Sequence, residues 1–417
     1  MKANHERALL VGLSLGARGR TRSDASVEEL GLLAQGAGAL VVGRLVQERQ
    51  RPDSATLIGR GKVEEVRRLA EEREANLILF DEDLSPGQQR NLEAALDQKT
   101  LDRTQLILDI FATRARTREG RLQVELAQLA YLLPRLAGRG VLLSRLGGGI
   151  GTRGPGETKL ETDRRRIRQR IQAIRRDIEK VKRERKVRRE ARARVAAPLV
   201  ALVGYTNAGK STLFSALSRT ADAPASSLLF MTLDPLVRRA RLGPASSVLL
   251  VDTVGFIQKL PHSLVDAFRA TLEEVVAADL LLHVVDASAE DLDEREAAVE
   301  AVLGEIGAAS RPRIVVLNKS DVTPTARGRL LQGNRAGSVL VSAHTGEGLD
   351  ALTREIAARL DLVARRVHLR FSAADARGIG EVYSAGQVLA HERHGDEVRL
   401  TADLPGRIVE RYREKLR

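Results

Sequence analysis

The stretch Val200-Ala-Leu-Val-Gly204-Tyr-Thr-Asn-Ala-Gly209-Lys210-Ser211-Thr212 decides the fold of this chain. An apolar run ends at Gly204, and a loop and a helix-like segment with apolar residues on one face follow. A phosphate-binding P-loop requires this order, because its backbone N–H groups then form an anion nest at a helix N-terminus. An ordinary glycine-containing turn is the alternative, but the motif fits at all its fixed positions and in its context.

The P-loop assignment predicts a function for each residue of the loop. Lys210 can reach the β- and γ-phosphates, which makes it a catalytic candidate, and the Ser211 hydroxyl can bind Mg²⁺. The predicted nucleotide contacts of this loop are Gly204, Tyr205, Thr206, Asn207, Ala208, Gly209, Lys210, Ser211 and Thr212.

A second apolar run ends in Asp252-Thr-Val-Gly255. At the end of a strand, the Asp252 carboxylate can hold Mg²⁺ through water, and the Gly255 N–H can contact the γ-phosphate. Both residues are therefore predicted nucleotide contacts, and Gly255 is a second catalytic candidate.

Two later strand ends predict which base is bound. In Asn318-Lys319-Ser-Asp321, the Asp321 carboxylate can accept two N–H bonds from guanine, and adenine has no such pair of donors. Asn318 and Lys319 would fix the loop and cover the ring. The stretch Ser342-Ala343-His344 suits backbone contact with the base. An ATPase would lack Asn-Lys-x-Asp, so the sequence predicts binding of GTP and GDP with Mg²⁺.

Composition limits the class of protein. A chain of 417 residues is too long for one core, and it has no cysteine for disulfides or thiolate metal sites. No apolar run approaches the ~20 residues of a membrane span, and residues 1–6 lack a signal-peptide pattern, so we expect a cytoplasmic protein. A net charge of +13 predicts a polyanionic partner. Because aromatic residues make up only 3%, phosphate contacts are favoured over base stacking.

The fold class predicted is a multidomain α/β protein with a P-loop GTPase domain. We expect four parts: an N-terminal α/β domain over 1–104, a basic antiparallel helical hairpin with a Gly-rich tip over 105–196, the GTPase domain over 197–362, and a small C-terminal βαββα domain over 363–417. In the N-terminal part, alternating strands and helices favour a largely parallel sheet.

Three local patterns are interpreted as structural. Gly59-Arg-Gly61-Lys62 lacks the P-loop frame and is expected to be a tight turn that caps a helix. Asp81-Glu-Asp is expected to be a solvated turn rather than a metal site. His391 and His394 are expected to be exposed hairpin residues rather than metal ligands.

The hairpin prediction depends on two apolar stripes. Leucines recur at heptad spacing within a helix predicted over 106–136, and isoleucines recur in the same way in a second helix over 160–194. Residues 160–195 hold 16 Lys or Arg against 6 Asp or Glu, a net charge of +10. This excess favours phosphate binding over a merely solvated helix surface.

A Gly-rich loop of more than 20 residues joins the two helices. Its Gly147-Gly-Gly-Ile-Gly151 stretch has no preceding strand, which argues against a dinucleotide turn. A flexible basic tip can instead enter a narrow RNA-lined cavity. The predicted RNA contacts on the tip and the following helix are Arg145, Arg153, Lys159, Arg164, Arg165, Arg166 and Arg168.

The segment from Gly147 to Asp163, followed by a basic helix and GTPase motifs, resembles the HflX family of GTPases over essentially the whole chain. The resemblance implies a ribosome-associated GTPase that binds the large ribosomal subunit and its rRNA. It also implies that the hairpin tip approaches the peptidyl-transferase centre and that the protein splits stalled ribosomes under stress. We expect a monomer without membrane association.

The segment between the P-loop and Asp252 contains Phe230-Met-Thr232. Thr232 fits the switch I threonine whose hydroxyl completes Mg²⁺ coordination, so it is a metal ligand and a catalytic candidate. Phe230 is counted among the nucleotide contacts. The family more often has Ala than Met before this Thr. This difference weakens the match between the family pattern and the residues that follow Thr232.

Phe256 follows Gly255 where many GTPases have a Gln that orients the attacking water. Because a Phe side chain neither donates nor accepts a hydrogen bond, we expect slow hydrolysis that a partner accelerates. Two alternatives stay open. The chain could be an RNA-binding assembly or structural factor whose GTP site acts only as a conformational switch, or its N-terminal domain could carry an ATP-driven activity, for which no complete motif is present.

Overall fold

A computed structural model describes residues 6–16, 20–136, 155–193, 197–219, 230, 235–243, 246–257, 259 and 272–415. The chain divides into two compact units. Of the described residues, the first unit holds those up to Arg185 together with Phe230 and Lys259, and the second unit holds the others. In the described parts of the chain, every helix is too short or too polar to cross a bilayer.

The first unit is built on a parallel sheet with the strand order β2-β1-β3-β4. Strands and helices alternate as β1 Arg7–Leu15, α1 Arg20–Gly36, β2 Leu40–Arg49, α2 Arg60–Glu72, β3 Leu77–Phe80, α3 Pro86–Leu96 and β4 Lys99–Asp102. The predicted parallel α/β arrangement is confirmed, but β4 was not predicted, because its four residues carry only one large apolar side chain.

Local sequence signals set two helix starts in this sheet. Ser85 caps α3 with a reciprocal capping box to Gln88, and Pro86 occupies the first turn. Gly59 is the N-cap of α2, which confirms that Gly59-Arg-Gly61-Lys62 begins a helix.

Asp81, directly after β3, is buried and ion-paired, so the expectation of a solvated turn was wrong. It is 1% exposed, and its carboxylate accepts hydrogen bonds from Arg103 Nη1 at 2.7 Å and Ser26 Oγ at 2.6 Å. Lys259 pairs with the same carboxylate. Burial opposes ionisation, but the charges of Arg103 and Lys259 outweigh it and hold the pKa of Asp81 below its ordinary value. The polar turn sequence gave no sign of these distant partners.

Three helices complete the first unit: α4 Arg103–Arg114, α5 Arg118–Arg135 and α6 Pro155–Ala193, the last of which continues into the second unit. The helix predicted over 106–136 is therefore two helices. They are separated at Thr117, whose side chain caps α5 by accepting from the Gly120 N–H at 3.0 Å.

The helices α5 and α6 lie side by side. Arg170 of α6 donates two hydrogen bonds to Glu125 of α5, at 2.7 and 2.8 Å. Ile171, Ile174 and Ile178 are buried, as the predicted isoleucine stripe of α6 requires. The predicted tip, residues 137–154, lies outside the described residues.

The second unit contains a six-stranded sheet with the order β10-β9-β8-β5-β7-β6. Its elements are β5 Leu199–Val203, α7 Lys210–Ser218, β6 Leu236–Arg241, β7 Ser247–Asp252, β8 Leu280–Asp286, α8 Leu292–Glu305, β9 Arg313–Asn318, α9 Thr325–Gly333, β10 Val339–Leu340 and α10 Leu349–Arg359. All strand pairs are parallel except β6 with β7. The carboxyl ends of the parallel strands therefore meet at one edge of the sheet.

The second unit also contains a three-stranded antiparallel sheet with the order β11-β13-β12. Its elements are β11 Ala364–Ser372, α11 Ala376–Ala385, β12 Gln387–His394, β13 Glu397–Pro405 and α12 Gly406–Val409, followed by a 3₁₀ helix over Glu410–Lys415. The order matches the predicted βαββα pattern. His391 and His394 are exposed, and no group of three metal-binding side chains occurs among the described residues.

We expect Asp81→Ala to lower the free energy of unfolding of the first unit by about 3–5 kcal/mol, because it leaves the buried guanidinium of Arg103 without one of its carboxylates. The wild-type contribution is present above the ordinary Asp pKa of about 4 and is lost as the pH falls through the lowered pKa of Asp81. Urea titrations followed by circular dichroism at several pH values measure both effects.

Glu64→Ala is the matched control for this prediction, since Glu64 is an exposed carboxylate paired with Arg67 on α2. Its loss should cost less than about 1 kcal/mol. If the two variants unfold alike, the buried network makes no special contribution to stability.

Candidate nucleotide site

The strand β5, the loop after it and the helix α7 form the predicted P-loop setting. Gly204 has φ +150°, and a Cβ there would lie 2.2 Å from the carbonyl oxygen of Val284. Gly209 has φ +91°, and a Cβ there would lie 2.1 Å from the side-chain amide of Asn318. Both positions therefore require glycine, for backbone conformation and for space.

Lys210 is buried at the start of α7 and is held by the loop. Its ammonium donates to the carbonyl oxygens of Gly204 at 3.0 Å and Tyr205 at 2.7 Å. Burial lowers the pKa of Lys210 to about 8, and the charge of Asp252 opposes this shift. The group is therefore a cation at neutral pH and lies in a position to meet an anion at the loop.

Ser211 and Asp252, both predicted at the metal site, are in direct contact. The hydroxyl of Ser211 donates to Asp252 Oδ2 at 2.7 Å, and Asp252 ends β7 with no exposed surface. A hydroxyl beside a carboxylate is a donor set that suits a hard divalent cation, which prefers oxygen ligands. The chemistry of these two side chains thus fits Mg²⁺.

The segment Gly255-Phe256 lies directly against the P-loop. The Phe256 N–H donates to the carbonyl oxygen of Gly204 at 3.1 Å, and the Phe256 carbonyl accepts from the Thr206 N–H at 2.7 Å. A Cβ on Gly255 would come within 2.9 Å of the Lys210 ammonium. The ring of Phe256 is 1% exposed, so it packs inside the protein.

Asn318 joins the P-loop to the loop after β10. Its amide donates to the carbonyl oxygen of Ala208 at 2.8 Å, and its side-chain oxygen accepts from the Ala343 N–H at 2.9 Å. This geometry agrees with the prediction that Asn318 fixes the loop. It also places the backbone of Ala343 beside the P-loop, although the two segments are far apart in sequence.

The other residues predicted to contact the base are held by side-chain hydrogen bonds. Ser342 Oγ donates to Asp321 Oδ1 at 2.7 Å. Lys319 has φ +67° and donates from Nζ to Asp286 Oδ2 at 2.6 Å. Burial opposes ionisation of Asp286, but the Lys319 and Ser288 side chains hold its pKa below the ordinary value.

Two residues at this site were not predicted. Asp286 ends the apolar strand β8, as Asp252 ends β7, so the same strand-end pattern could have revealed it. The guanidinium of Arg295 lies over the Tyr205 ring at 5.2 Å from its centroid. Nothing in the sequence near Arg295 indicates this contact, which depends on where α8 packs.

The other predicted nucleotide contacts lie in the P-loop, in the first turn of α7 and in the loop after β10. Thr206 is buried, whereas Asn207 and His344 are exposed, and Asn207 adopts the left-handed conformation with φ +60°. Thr212 lies in the first turn of α7. The structure thus brings the predicted P-loop, Asp252, Gly255, and the Asn318 and Ser342 loops to one edge of one sheet.

The chain is similar to known GTPases over nearly its full length. Three family models match in succession: "GTP-binding GTPase N-terminal" over 24–112, "GTP-binding GTPase Middle Region" over 114–192 and "50S ribosome-binding GTPase" over 199–319. The GTPase HflX of Caldanaerobacter subterraneus subsp. tengcongensis is 46% identical over 411 residues, which cover 98% of this chain and 93% of that protein. This chain belongs to the HflX family. The GTPase HflX of Escherichia coli K12 is 44% identical over 353 residues, 84% of this chain and 83% of that protein.

Membership of the HflX family and the GTPase-domain match mean that the chain binds guanine nucleotides and hydrolyses GTP. A solved relative, the crystal structure of the SsGBP and GDP complex, is 25% identical with a TM-score of 0.50. The alignment covers 84% of this chain and 97% of that one. The family match includes a ribosome-binding GTPase domain, so the ribosome is the indicated partner.

Of the two residues predicted in the switch I segment, the structure describes only Phe230. Thr232 lies outside the described residues. Phe230 belongs to the first unit, where its ring packs edge-on against Phe111 at 4.7 Å between centroids. Its assignment to the nucleotide site stays a prediction.

The predicted RNA contacts fall at the start of α6 and before it. Arg145 and Arg153 lie outside the described residues, as does the side chain of Lys159. The four arginines that follow lie on α6: Arg164 is half-buried, and the other three are exposed, namely Arg165, Arg166 and Arg168. Arg166 has a loose ion pair with Asp163 at 3.8 Å. These side chains therefore present an accessible basic surface.

Proposed function

We propose that this chain is a Mg²⁺-dependent GTPase that binds the large ribosomal subunit in the cytoplasm and, as its family resemblance implies, splits stalled ribosomes under stress. In this proposal it acts as a monomer, and its GTP state controls binding and release. The observation that carries the proposal is the convergence of the P-loop, Asp252 and the Asn318 loop at one sheet edge. The basic helix α6 supplies the surface for rRNA.

The phosphates would bind at the N-terminus of α7. Lys210, held by two loop carbonyls, would exchange these neutral partners for the β- and γ-phosphate oxygens. Ser211, Thr232 and, through water, Asp252 would hold Mg²⁺, which neutralises charge on the phosphates when bound. The Gly255 N–H would contact the γ-phosphate, because its backbone already lies next to Lys210.

The base would bind between the Asn318 and Ser342 loops. Ser342 donates to one oxygen of Asp321. This bond would hold the carboxylate in an orientation that can accept from the guanine N–H donors. Lys319, anchored by Asp286, would cover the ring face. The stem of Lys319 is thereby held in place before the nucleotide arrives, which lowers the entropic cost of binding.

Position 256 has no side chain that could orient the attacking water during hydrolysis. The Phe256 ring is buried, and only its backbone bonds to the P-loop. Catalysis by the chain alone would therefore depend on Lys210, Mg²⁺ and backbone dipoles, and the ribosome would complete the arrangement.

We expect Asp321→Asn to weaken GTP binding by about 1.5–3 kcal/mol, because guanine loses a charge-assisted acceptor, and to improve binding of xanthosine triphosphate. Competition binding with GTP, xanthosine triphosphate and ATP measures the change. Ser342→Ala removes the hydroxyl that donates to the Asp321 carboxylate and accepts from the Thr345 N–H, but it keeps the carboxylate, so it should give a smaller loss without the exchange of preference. Equal competition by GTP and ATP for the wild-type protein would show that the guanine assignment is wrong.

We expect single-turnover hydrolysis at about 10⁻⁴–10⁻³ s⁻¹ for the protein alone and a ~10³–10⁵-fold increase with purified large subunits. Phe256→Leu should leave the ribosome-free rate within a few-fold, because it replaces a buried apolar ring by another apolar group. Lys210→Ala should abolish both rates. A fast basal rate that collapses in Phe256→Leu would mean that the ring organises the catalytic site.

We expect neutralisation of Arg164, Arg165, Arg166 and Arg168 to weaken binding to large subunits and to reduce its salt dependence, since fewer counterions are released. GTP affinity should stay unchanged, because these arginines lie on α6 in the first unit. Sedimentation with separated subunits across a salt series, with GTP analogue or GDP, measures both. An unchanged salt slope would place the RNA-binding surface elsewhere on the chain.

A further inference from the structure

The second unit contains a cleft of about 660 Å³ between the strand β6 and the elements that follow β10. Four arginines line it, two from β6 and two from the C-terminal end of the chain: Arg239, Arg241, Arg407 and Arg411. β6 is the last strand of its sheet, so one of its sides has no strand partner in the described part of the sheet. None of these residues belongs to the nucleotide site or to the predicted RNA-binding surface of α6.

The positive charge in this cleft is largely uncompensated. Among the described residues, no carboxylate oxygen lies within 4 Å of the guanidinium nitrogens of Arg241, Arg407 or Arg411. In the described part of the chain, Arg239 donates to a neutral hydroxyl, that of Ser247, at 3.1 Å. By contrast, Arg335 in the same unit pairs with two carboxylates. The cleft therefore gathers guanidinium groups without the acidic partners found elsewhere in this unit.

Of the residues that the structure describes around the cleft, Glu381 is the one carboxylate, and other groups already bind it. It accepts a hydrogen bond from the Tyr412 hydroxyl at 3.1 Å and pairs with Arg377 at 3.3 Å. Four guanidinium groups against one shared carboxylate leave a net positive lining. Such a concentration of one sign attracts anions.

The chemistry of the lining selects phosphate groups without base recognition. Guanidinium groups bind phosphate oxygens through paired hydrogen bonds. Tyr412 is the one aromatic residue among the described lining residues. It is 8% exposed with its hydroxyl bonded to Glu381, so it offers no open face for base stacking. The volume accommodates a run of sugar-phosphate groups, and the position along an edge strand leaves the cleft open at the surface.

We propose that this arginine cleft binds the phosphodiester backbone of RNA, as a second RNA contact besides the basic helix α6. The inference rests on the proposed function, because the ribosome would supply the RNA. It adds a contact in the unit that holds the nucleotide site. This unit would therefore bind RNA directly and without regard to the RNA sequence.

The test compares two triple variants of the full chain. The cleft variant is Arg241→Ala, Arg407→Ala and Arg411→Ala. The control is Arg329→Ala, Arg354→Ala and Arg393→Ala, which removes the same charge from exposed positions of the same unit outside the cleft. Binding of a fluorescent 20-base-pair RNA duplex and of purified large subunits is measured over a salt series, with melting temperature as a check on folding.

We expect the cleft variant to bind the duplex at least tenfold more weakly and the slope of log K against log salt to fall by about 2–3, since up to three phosphate contacts are lost. The control should change both far less. Equal losses in the two variants overturn the proposal. Binding of inorganic tripolyphosphate is measured as well, and a cleft variant that loses this binding but keeps RNA binding also overturns the proposal. Large subunits that fail to bind the wild-type protein would contradict the proposed function, while the duplex measurement would still decide the role of the cleft.

Discussion

The side-chain amide of Asn318 holds the nucleotide site together. Its donor bonds to the P-loop at Ala208 and its acceptor to the loop at Ala343, and the residue is 2% exposed. A buried amide with both ends satisfied is rigid, because breaking either bond leaves an unpaired polar group at a cost of about 1–3 kcal/mol. The P-loop and the loop after β10 are therefore held at a fixed distance from each other. Gly209 must lack a side chain to let the Asn318 amide approach.

The parallel sheet makes this arrangement possible. The strands β5, β7, β8 and β9 all run in one direction, so residues that end each strand come to the same edge. Ser211 thereby meets Asp252, and Lys319 meets Asp286, although each pair is separated by tens of residues in sequence. A ligand with phosphates, sugar and base can then be held by loops from several strands, as in other open α/β sheets.

Charge is distributed differently in the interior and at the surface. Inside, Lys210 is held by carbonyls and Asp81 by two cations, so both of these buried charges have partners. At the surface, Arg165 and Arg168 of α6 are exposed, as are Arg239 and Arg241 of the cleft beside β6, and these four have no ion pair among the described residues. Buried charges are costly unless paired, whereas exposed ones are available to a polyanion. This contrast supports a protein that combines a fixed nucleotide site with adaptable contacts to RNA.

The sequence by itself determined the fold class, the P-loop and the family. These depend on local signals: an apolar strand before Gly204, strand-end polar residues, and the heptad stripe later found buried on α6. Helix starts such as Ser85-Pro86 were equally local, because capping involves residues within one turn.

Only the tertiary structure decided which distant groups meet. It turned the expected solvated turn at Asp81 into a buried ion pair, divided the helix predicted over 106–136 at Thr117, and placed Arg295 over Tyr205. It also brought the arginines of β6 beside those of the C-terminal end. Sequence patterns repeat over a few residues and report which face of an element is apolar. Contacts between elements depend on how those faces pack, and no spacing along the chain encodes that.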